Sequence, residues 1–246
     1  MPIASPFLKT DGESVLVDIP SMSDMLADKL TAFAPNTTGI PYYKKCKNGE
    51  NWSCSLEIAK QMYDVASLFD SMDNFEDVLE IYKRIANVES EYRQMPGLKF
   101  SEILMDSINT SFGISTRGTN NKRNYEMLVD GIFRLQDFIY NNRYTVDSAI
   151  TDSAKVVYLS ACLMKGIFVA EKYDLSMADI VQKAIIDKAL DSDLMKWTKL
   201  NKLKKSNLEA FYYWYRTFEL LKNVIPVTFV FMRKWYYRRD FITPKN

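Results

Sequence analysis

The stretch Ser23-Asp-Met-Leu-Ala-Asp-Lys-Leu-Thr-Ala-Phe33 predicts the first helix of the chain, and the segment just before it predicts a short strand. In that segment, Val15-Leu-Val-Asp-Ile19, apolar residues alternate with period two, and a Pro-Ser pair then breaks the strand. Within the helix, Leu26, Leu30 and Phe33 recur at i, i+4 and i+7, the spacing of a buried stripe. The chain therefore opens with a strand and an amphipathic helix.

Charged residues on this helix have different surroundings. Asp24 and Asp28 lie one turn apart on one face, where like charges cost roughly a few tenths of a kcal/mol. Lys29 instead has the apolar residues Met25 and Phe33 one turn away on either side, so its ammonium must extend into solvent or meet an anion. Two interpretations stay open, a lysine at the edge of the core or a lysine that binds a ligand.

Composition favours a helical protein. The chain has 246 residues, of which 47% are hydrophobic and 26% charged, and it contains only 8 Gly and 8 Pro for tight turns. No apolar run reaches the roughly 18 residues of a membrane span, and the first residues lack a signal-peptide pattern. We therefore expect a cytoplasmic protein without a membrane partner.

The histidine and cysteine content excludes several kinds of site. There is no histidine, which rules out Ser-His-Asp and Cys-His catalysis and histidine-ligated metals. The three cysteines, Cys46, Cys54 and Cys162, lack the spacing of a zinc site or disulfide framework and are interpreted as structural. Chemistry must rely on carboxylates, Lys, Arg or Tyr, and no residue is predicted to bind a metal.

Helical periodicity continues along most of the chain. A second helix begins at Ser53 or Ser55, and on its polar face Lys60 and Asp64 are one turn apart, either as a surface ion pair or as a functional pair. Further helices are predicted over 74–93, 101–111, 125–140, 146–170 and 176–190, and after a Ser206–Glu209 capping box. The helix over 101–111 is predicted to stop at Gly113, and the helix over 125–140 is predicted to have Phe133 and Phe138 on its buried face. Residues 34–49 are predicted as a loop. The fold class predicted is mainly α, a short N-terminal strand followed by a multi-helix bundle. We divide the chain into 1–70, a helical bundle over 71–190 and a basic, aromatic-rich region over 191–246.

Two of these segments together resemble a known family. The run from Ile19 to Phe33 and the run Lys60-Gln-Met-Tyr-Asp-Val-Ala-Ser-Leu-Phe69 are similar to the later half of the AbiEii/AbiGii-type nucleotidyltransferase toxins of bacterial abortive infection, a type IV toxin-antitoxin system. The similarity runs from about residue 15 to about residue 170. It implies that residues 1–70 are a remnant of the nucleotidyltransferase core and that the first strand is an edge of its α/β sheet.

The resemblance also implies a reaction and roles for four residues. The reaction is transfer of a nucleoside monophosphate from an NTP to an RNA or protein acceptor, aided by Mg²⁺. Lys29 and Asp64 are the implied catalytic residues, with Asp64 acting near the acceptor as a general base or metal neighbour. Lys29, Asp24 and Lys60 are implied to bind the nucleotide, and a cognate antitoxin is the implied protein partner.

The sequence departs from the family at two points. The Gly-Gly or Gly-Ser turn and Asp-x-Asp pair that hold the metal ions are expected before the first strand, but only Gly12-Glu-Ser14 lies there, and Asp191-Ser-Asp193 is at the wrong end. Gln61 stands where many members have Asp. We therefore expect no activity from this chain alone, with Mg²⁺ and an NTP required only if the missing half is present. The alternatives are a non-catalytic RNA- or protein-binding module and a structural protein that forms a homodimer through residues 211–215.

Basic residues predict where RNA, such as a tRNA, would bind. From residue 194 onward the chain has twelve Lys or Arg and three acids, and aromatic residues are interleaved with them. The polar loop over 114–124 adds further cations. Packing of the aromatics in a core or dimer face, and an ordinary exposed loop, are the alternatives. The RNA-binding candidates are Arg117, Arg123, Arg233, Arg238 and Arg239.

Overall fold

The protein is mainly α-helical, as its sequence predicted. A computed structural model describes residues 2–4, 16–140, 143–192 and 195–222. The described elements are β1 (Pro2–Ala4), β2 (Leu16–Asp18), α1 (Met22–Ala32), β3 (Tyr43–Lys45), β4 (Asn51–Ser53), α2 (Ser55–Ser71), α3 (Glu76–Tyr92), α4 (Phe100–Ser115), α5 (Lys122–Leu135), α6 (Val146–Lys165), α7 (Ala178–Lys183), α8 (Leu203–Ser206) and α9 (Leu208–Leu221), with short 3₁₀ turns at 136–138, 175–177, 188–190 and 197–202.

The N-terminal strand and the first helix lie where the sequence predicted them. β2 pairs antiparallel with β1, with Ile3 opposite Val17. Ser21 caps α1, since its Oγ accepts from the backbone N–H of Asp24 at 3.1 Å while Asp24 accepts from the N–H of Ser21 at 2.9 Å. This reciprocal capping box fixes where the helix begins.

The segment predicted as one continuous loop instead contains half of a β-hairpin. β3 pairs antiparallel with β4, with Lys44 opposite Trp52. The turn between them closes through the N–H of Gly49, which donates to the carbonyl of Cys46 at 3.0 Å, and Gly49 has φ of 85°. Such a φ is costly for residues with a side chain, so glycine determines the turn. The loop prediction was wrong for β3.

Several predicted helix boundaries were also wrong, each for a local reason. α4 continues through Gly113 to Ser115, and glycine suits that position because a Cβ there would lie 2.8 Å from Oδ1 of Asn120. α6 ends at Lys165 because Gly166 adopts a left-handed conformation. The helix predicted over 176–190 stops at Lys183, where the next residue is extended.

The core is built around α6, which packs against α2, α4 and α9. Buried apolar residues from α1 through α9 belong to one hydrophobic cluster. The rings of Trp197 and Trp214 meet edge to face with centroids 5.4 Å apart, and both are fully buried. In contrast, Phe133 and Phe138, predicted to face inward, are 60% and 73% exposed. Phe133 lies off the buried face of α5, and Phe138 lies beyond the end of α5, in the 3₁₀ turn over 136–138.

The aromatic run on α9 belongs to the core of this chain. Its cap is Asn207, whose side chain accepts from the N–H of Ala210 at 3.0 Å, rather than the predicted Ser206. Phe211, Tyr212, Tyr213 and Trp214 are all buried. These four rings are therefore not available for base stacking or for a dimer face, and of the alternatives stated from the sequence, core packing is correct for them. Among the described helices, none is long and apolar enough to cross a membrane.

A polar cluster lies where α6 meets α2 and α9. The hydroxyl of Tyr144 donates to Asp152 at 2.7 Å, and the ammonium of Lys155 lies 2.7 Å from Asp70 and 3.4 Å from Glu209. Burial raises the pKa of Asp152 to about 7, against the lowering effects of the Tyr144 hydrogen bond and the Lys155 charge. The folded state thus holds a proton on Asp152 that the unfolded chain loses near pH 4.

This raised pKa predicts a pH-dependent stability. A group with a raised folded-state pKa stabilises the fold fully at low pH, and that contribution is lost as the pH rises from about 4 to about 7. Asp152→Asn keeps an acceptor for Tyr144 and removes the titration. Relative to this variant, the wild type should lose roughly 1–4 kcal/mol of unfolding free energy across that range, measured by urea denaturation at several pH values. Asp137→Asn, at an exposed site, is the control, and parallel pH profiles for wild type and Asp152→Asn would contradict the assignment.

Candidate functional site

The structure brings three of the predicted site residues together where α1 packs on α2. Lys60 and Asp64 lie one turn apart on α2, and the charges of Lys60 and then Lys29 act on the Asp64 carboxylate. Lys29 lies on α1 between Leu26 and Leu30, which are both fully buried in the core. Two lysines and one aspartate thus share one side of the α1–α2 pair.

Asp64 has a half-buried carboxylate, and burial and nearby charges change its pKa in opposite directions. Burial raises its pKa above the ordinary value of 3.8, while the positive charges of Lys60 and Lys29 act in the opposite direction. Within the described part of the chain, no hydrogen bond contributes to this pKa. A carboxylate with a raised pKa and free lone pairs is a stronger base than an exposed aspartate, which suits it to accept a proton.

Lys29 combines a supported stem with an accessible ammonium. Its side chain is 33% exposed, and its Nζ lies 3.3 Å from the carboxylate of the neighbouring Asp28. Asp28 is itself 60% exposed, so solvent weakens the attraction between them. The ammonium is therefore held at the surface by a weak ion pair, which an anionic ligand can replace.

Two side chains on α2 beside Asp64 carry unpaired polar atoms. Glu57 and Gln61 precede Asp64 at helical spacing and lie on the same face. Oε2 of Glu57 and Oε1 of Gln61 are inaccessible to solvent and have no hydrogen-bond partner among the described residues. A buried, unpaired oxygen costs roughly 1–3 kcal/mol, so this face of α2 is less stable than an apolar face would be. Such a cost is common at sites that bind a ligand.

The end of α1 is held in place by a buried carboxylate on α4. Asp106 accepts hydrogen bonds from the backbone N–H and the side-chain amide of Asn36 at 2.8 and 2.7 Å, and from the hydroxyl of Thr37 at 2.9 Å. The hydroxyl of Ser107 donates to the carbonyl of Phe33 at 2.9 Å. The loop after α1 is thereby fixed on α4, which also fixes the position of Lys29 relative to α2.

The loop itself requires glycine at one position. The N–H of Gly39 donates to the carbonyl of Ala34 at 2.9 Å, and the N–H of Ile40 donates to that of Ala32 at 2.9 Å. A Cβ on Gly39 would lie 2.4 Å from the carbonyl oxygen of Ala32, far inside contact distance. The chain therefore turns back directly against the end of α1.

A small cleft opens on the other side of Asp28, between α1 and α3. It has a volume of about 180 Å³ and is also lined by Thr38, Glu89 and Arg93. Lys29, Lys60 and Asp64 are not among its lining residues. The lysine and aspartate group is therefore separate from this cleft.

Asp24 has a structural role that the sequence did not assign to it. Its carboxylate accepts from the N–H and the hydroxyl of Ser21, at 2.9 and 2.6 Å, and these two bonds lower its pKa. The carboxylate thus serves the cap of α1. A nucleotide-binding role for Asp24 stays a prediction.

The described RNA-binding candidates have different partners. Arg117 donates to Asp147 at 2.8 Å, so its charge is shared with an exposed acid. The guanidinium of Arg123 lies 5.8 Å from the ring centroid of Tyr43 on the β3–β4 hairpin. Arg233, Arg238 and Arg239 lie outside the described residues.

No metal-binding cluster is present in the part of the chain that the structure describes. There, no group of three or more His, Cys, Asp or Glu side chains is arranged to hold an ion. Asp64 has lysines as its charged neighbours, a setting that disfavours a cation. The residues present thus do not fit a Mg²⁺ site.

Comparisons with protein-family models, curated proteins and solved structures found no match to this chain. The interpretation of the α1–α2 surface therefore depends on its own geometry and on the resemblance of its two sequence segments.

Substitution of Gln61 tests how much its unpaired oxygen lowers the free energy of unfolding. Gln61→Met keeps a similar volume and removes the buried, unpaired amide oxygen. We expect the free energy of unfolding to rise by about 1 kcal/mol, measured by urea denaturation. Gln182→Met, at an exposed position, is the matched control and should change it little. A loss of stability in Gln61→Met would mean that this amide has a partner.

Proposed function

We propose that this chain is the later half of an AbiEii-like nucleotidyltransferase that transfers a nucleoside monophosphate from an NTP to an acceptor. The observation that carries the proposal is the grouping of Lys29, Lys60 and Asp64 on one side of α1 and α2. These residues come from the two sequence segments that resemble the family, which are separated by a loop and a hairpin.

The two lysines have the properties needed to bind a triphosphate. Lys60 is exposed, and Lys29 is held at the surface by a weak contact with Asp28. Two ammonium groups on adjacent helices balance the charge of phosphate oxygens, and Lys binds phosphate as a point charge from a flexible stem. Their role is to hold the triphosphate and to stabilise negative charge on the departing pyrophosphate.

Asp64 is the residue that accepts a proton in the proposed reaction. Its half-buried carboxylate lies between the solvent and the core, with both lysines nearby and with its pKa raised by burial. The acceptor hydroxyl must lose its proton as its oxygen attacks the α-phosphate, and a positioned carboxylate of raised pKa removes it. Transfer also requires metal ions, and their ligands must come from outside the described residues.

Labelled-nucleotide transfer tests this function. The chain is combined with the Asp-x-Asp half encoded upstream or in a neighbouring gene, and incubated with α-labelled NTPs, Mg²⁺ and total RNA or protein. We expect transfer by the combination and none by the chain alone. Lys29→Ala and Asp64→Asn should each lower the transfer rate by about a hundredfold or more, because each removes a group used in the transition state.

Lys165→Ala is the matched control for Lys29→Ala, because Lys165 is an exposed lysine on α6. It should leave the rate unchanged. Unchanged activity of Lys29→Ala would overturn the role of that lysine, and transfer by the chain alone would overturn the requirement for a second half.

A second candidate function is a non-catalytic module that binds RNA. The lack of a carboxylate cluster among the described residues favours it, since two-metal phosphoryl transfer depends on such a cluster. It predicts RNA binding that weakens steeply with salt, and no turnover with any NTP and metal in any combination. Nucleotide transfer that depends on Asp64 would exclude it.

A further inference from the structure

The β3–β4 hairpin forms an exposed basic surface just before α2. Residues 43–52 are all exposed to solvent. This stretch contains Lys44, Lys45 and Lys47 against one acid, Glu50, which accepts from the side-chain amide of Asn48 at 2.8 Å. Arg123 adds a further positive charge next to the hairpin. The surface therefore attracts a polyanion.

An aromatic ring stands among these charges. Trp52 is 56% exposed, and it lies directly opposite Lys44 in the strand register. Residues that are opposite in an antiparallel pair project from the same face of the sheet, about 5 Å apart at their Cβ atoms. A large flat ring and an ammonium thus sit side by side with solvent access, and within the described residues no cation stacks on the Trp52 ring.

The base of the hairpin is anchored to the helical core. The N–H of Cys54 donates to the carbonyl of Tyr42 at 3.0 Å, which closes the hairpin at the start of α2. Tyr43 meets the guanidinium of Arg123, which projects from the first turn of α5. A platform with a fixed base costs less conformational entropy on binding than a free loop would.

The hairpin is also close to the α1–α2 surface along the chain. α2 begins at Ser55, and Asp64 is about 14 Å further along the helix axis at 1.5 Å per residue. A single strand of a few nucleotides covers this distance. A ligand held by the hairpin can therefore extend along α2 towards Lys60 and Asp64.

We propose that the hairpin binds single-stranded RNA, with one base stacked on Trp52 and the phosphates held by Lys44, Lys45 and Lys47. Stacking needs an accessible ring, phosphate contacts need cations beside it, and the hairpin offers both on one small element. This proposal names the acceptor for the proposed nucleotidyltransferase, and it depends on that function for the choice of RNA over other polynucleotides.

Binding without nucleotide or metal tests the hairpin separately from transfer. A fluorescently labelled oligouridine of about twelve nucleotides is titrated with the full chain, and its anisotropy gives Kd. Trp52→Ala should weaken binding about tenfold through lost stacking. Tyr92→Ala, which removes a more exposed aromatic ring on α3, should leave Kd unchanged.

The three lysines are tested through the salt dependence of binding. The triple variant Lys44→Gln, Lys45→Gln and Lys47→Gln should lower the slope of log Kd against log salt by about 2, because each phosphate contact on a single strand contributes roughly 0.7. The control with the same loss of charge changes three exposed lysines on other elements, Lys165, Lys183 and Lys188, to Gln. That control should keep the wild-type slope.

A cross-linking measurement shows where the RNA lies. Cys46 is exposed in the hairpin, whereas Cys54 and Cys162 are buried, so a benzophenone maleimide reacts at Cys46. Irradiation should link the oligouridine to Cys46 in the wild type, and the cross-linked yield should be several-fold lower in Trp52→Ala. RNA bound elsewhere on the chain does not contribute to this yield.

Four results would overturn the proposal. They are no measurable binding at low salt, equal Kd for Trp52→Ala and Tyr92→Ala, tighter binding of an oligothymidine of the same length, and displacement of the RNA by an equal charge concentration of polyglutamate. The last result would assign the hairpin to an acidic protein partner. Loss of binding in the hairpin variants without nucleotide transfer by any combination would support the hairpin and contradict the transferase function, so the two failures are distinguishable.

Discussion

The hydrogen bonds to the buried carboxylate of Asp106 determine where the rest of the candidate site lies. Asp106 is 2% exposed, and it receives three hydrogen bonds from Asn36 and Thr37 that replace its lost hydration. These bonds fix the loop after α1 on α4, and Gly39 lets the chain turn back against the helix end. Since α1 also packs on α2, its position sets the distance between Lys29 and Asp64.

The sequence predicted the local elements well and the long-range contacts poorly. Apolar spacing was sufficient for α1, α2 and α3, whose buried faces follow one simple stripe. It was insufficient for α5, where Phe133 is exposed, because a helix at the edge of a bundle buries only a narrow face. The hairpin was missed although the Asn48-Gly49 pair is a strong hairpin signal, and the lysines around it were interpreted as loop residues.

Part of the candidate site was predictable from the spacing of residues within single helices. Lys29 stood out because apolar neighbours surround it, and Lys60 and Asp64 because they share a polar helix face. Their meeting across two helices depends on tertiary packing, which no spacing within one helix specifies. The buried pair of Tyr144 and Asp152 was likewise missed, since an aspartate within an apolar helix can be recognised as buried only when its partner is known.

The measurement that tests this account most directly is the pKa of the Asp64 carboxyl group, obtained by NMR titration of ¹³C-labelled protein. We expect a pKa above 3.8 in the wild type, a further rise in Lys60→Gln, a smaller rise in Lys29→Gln, and no change in Lys165→Gln. A pKa at or below 3.8 that does not respond to Lys29→Gln would contradict it, because Lys29 and Asp64 would then not share one surface.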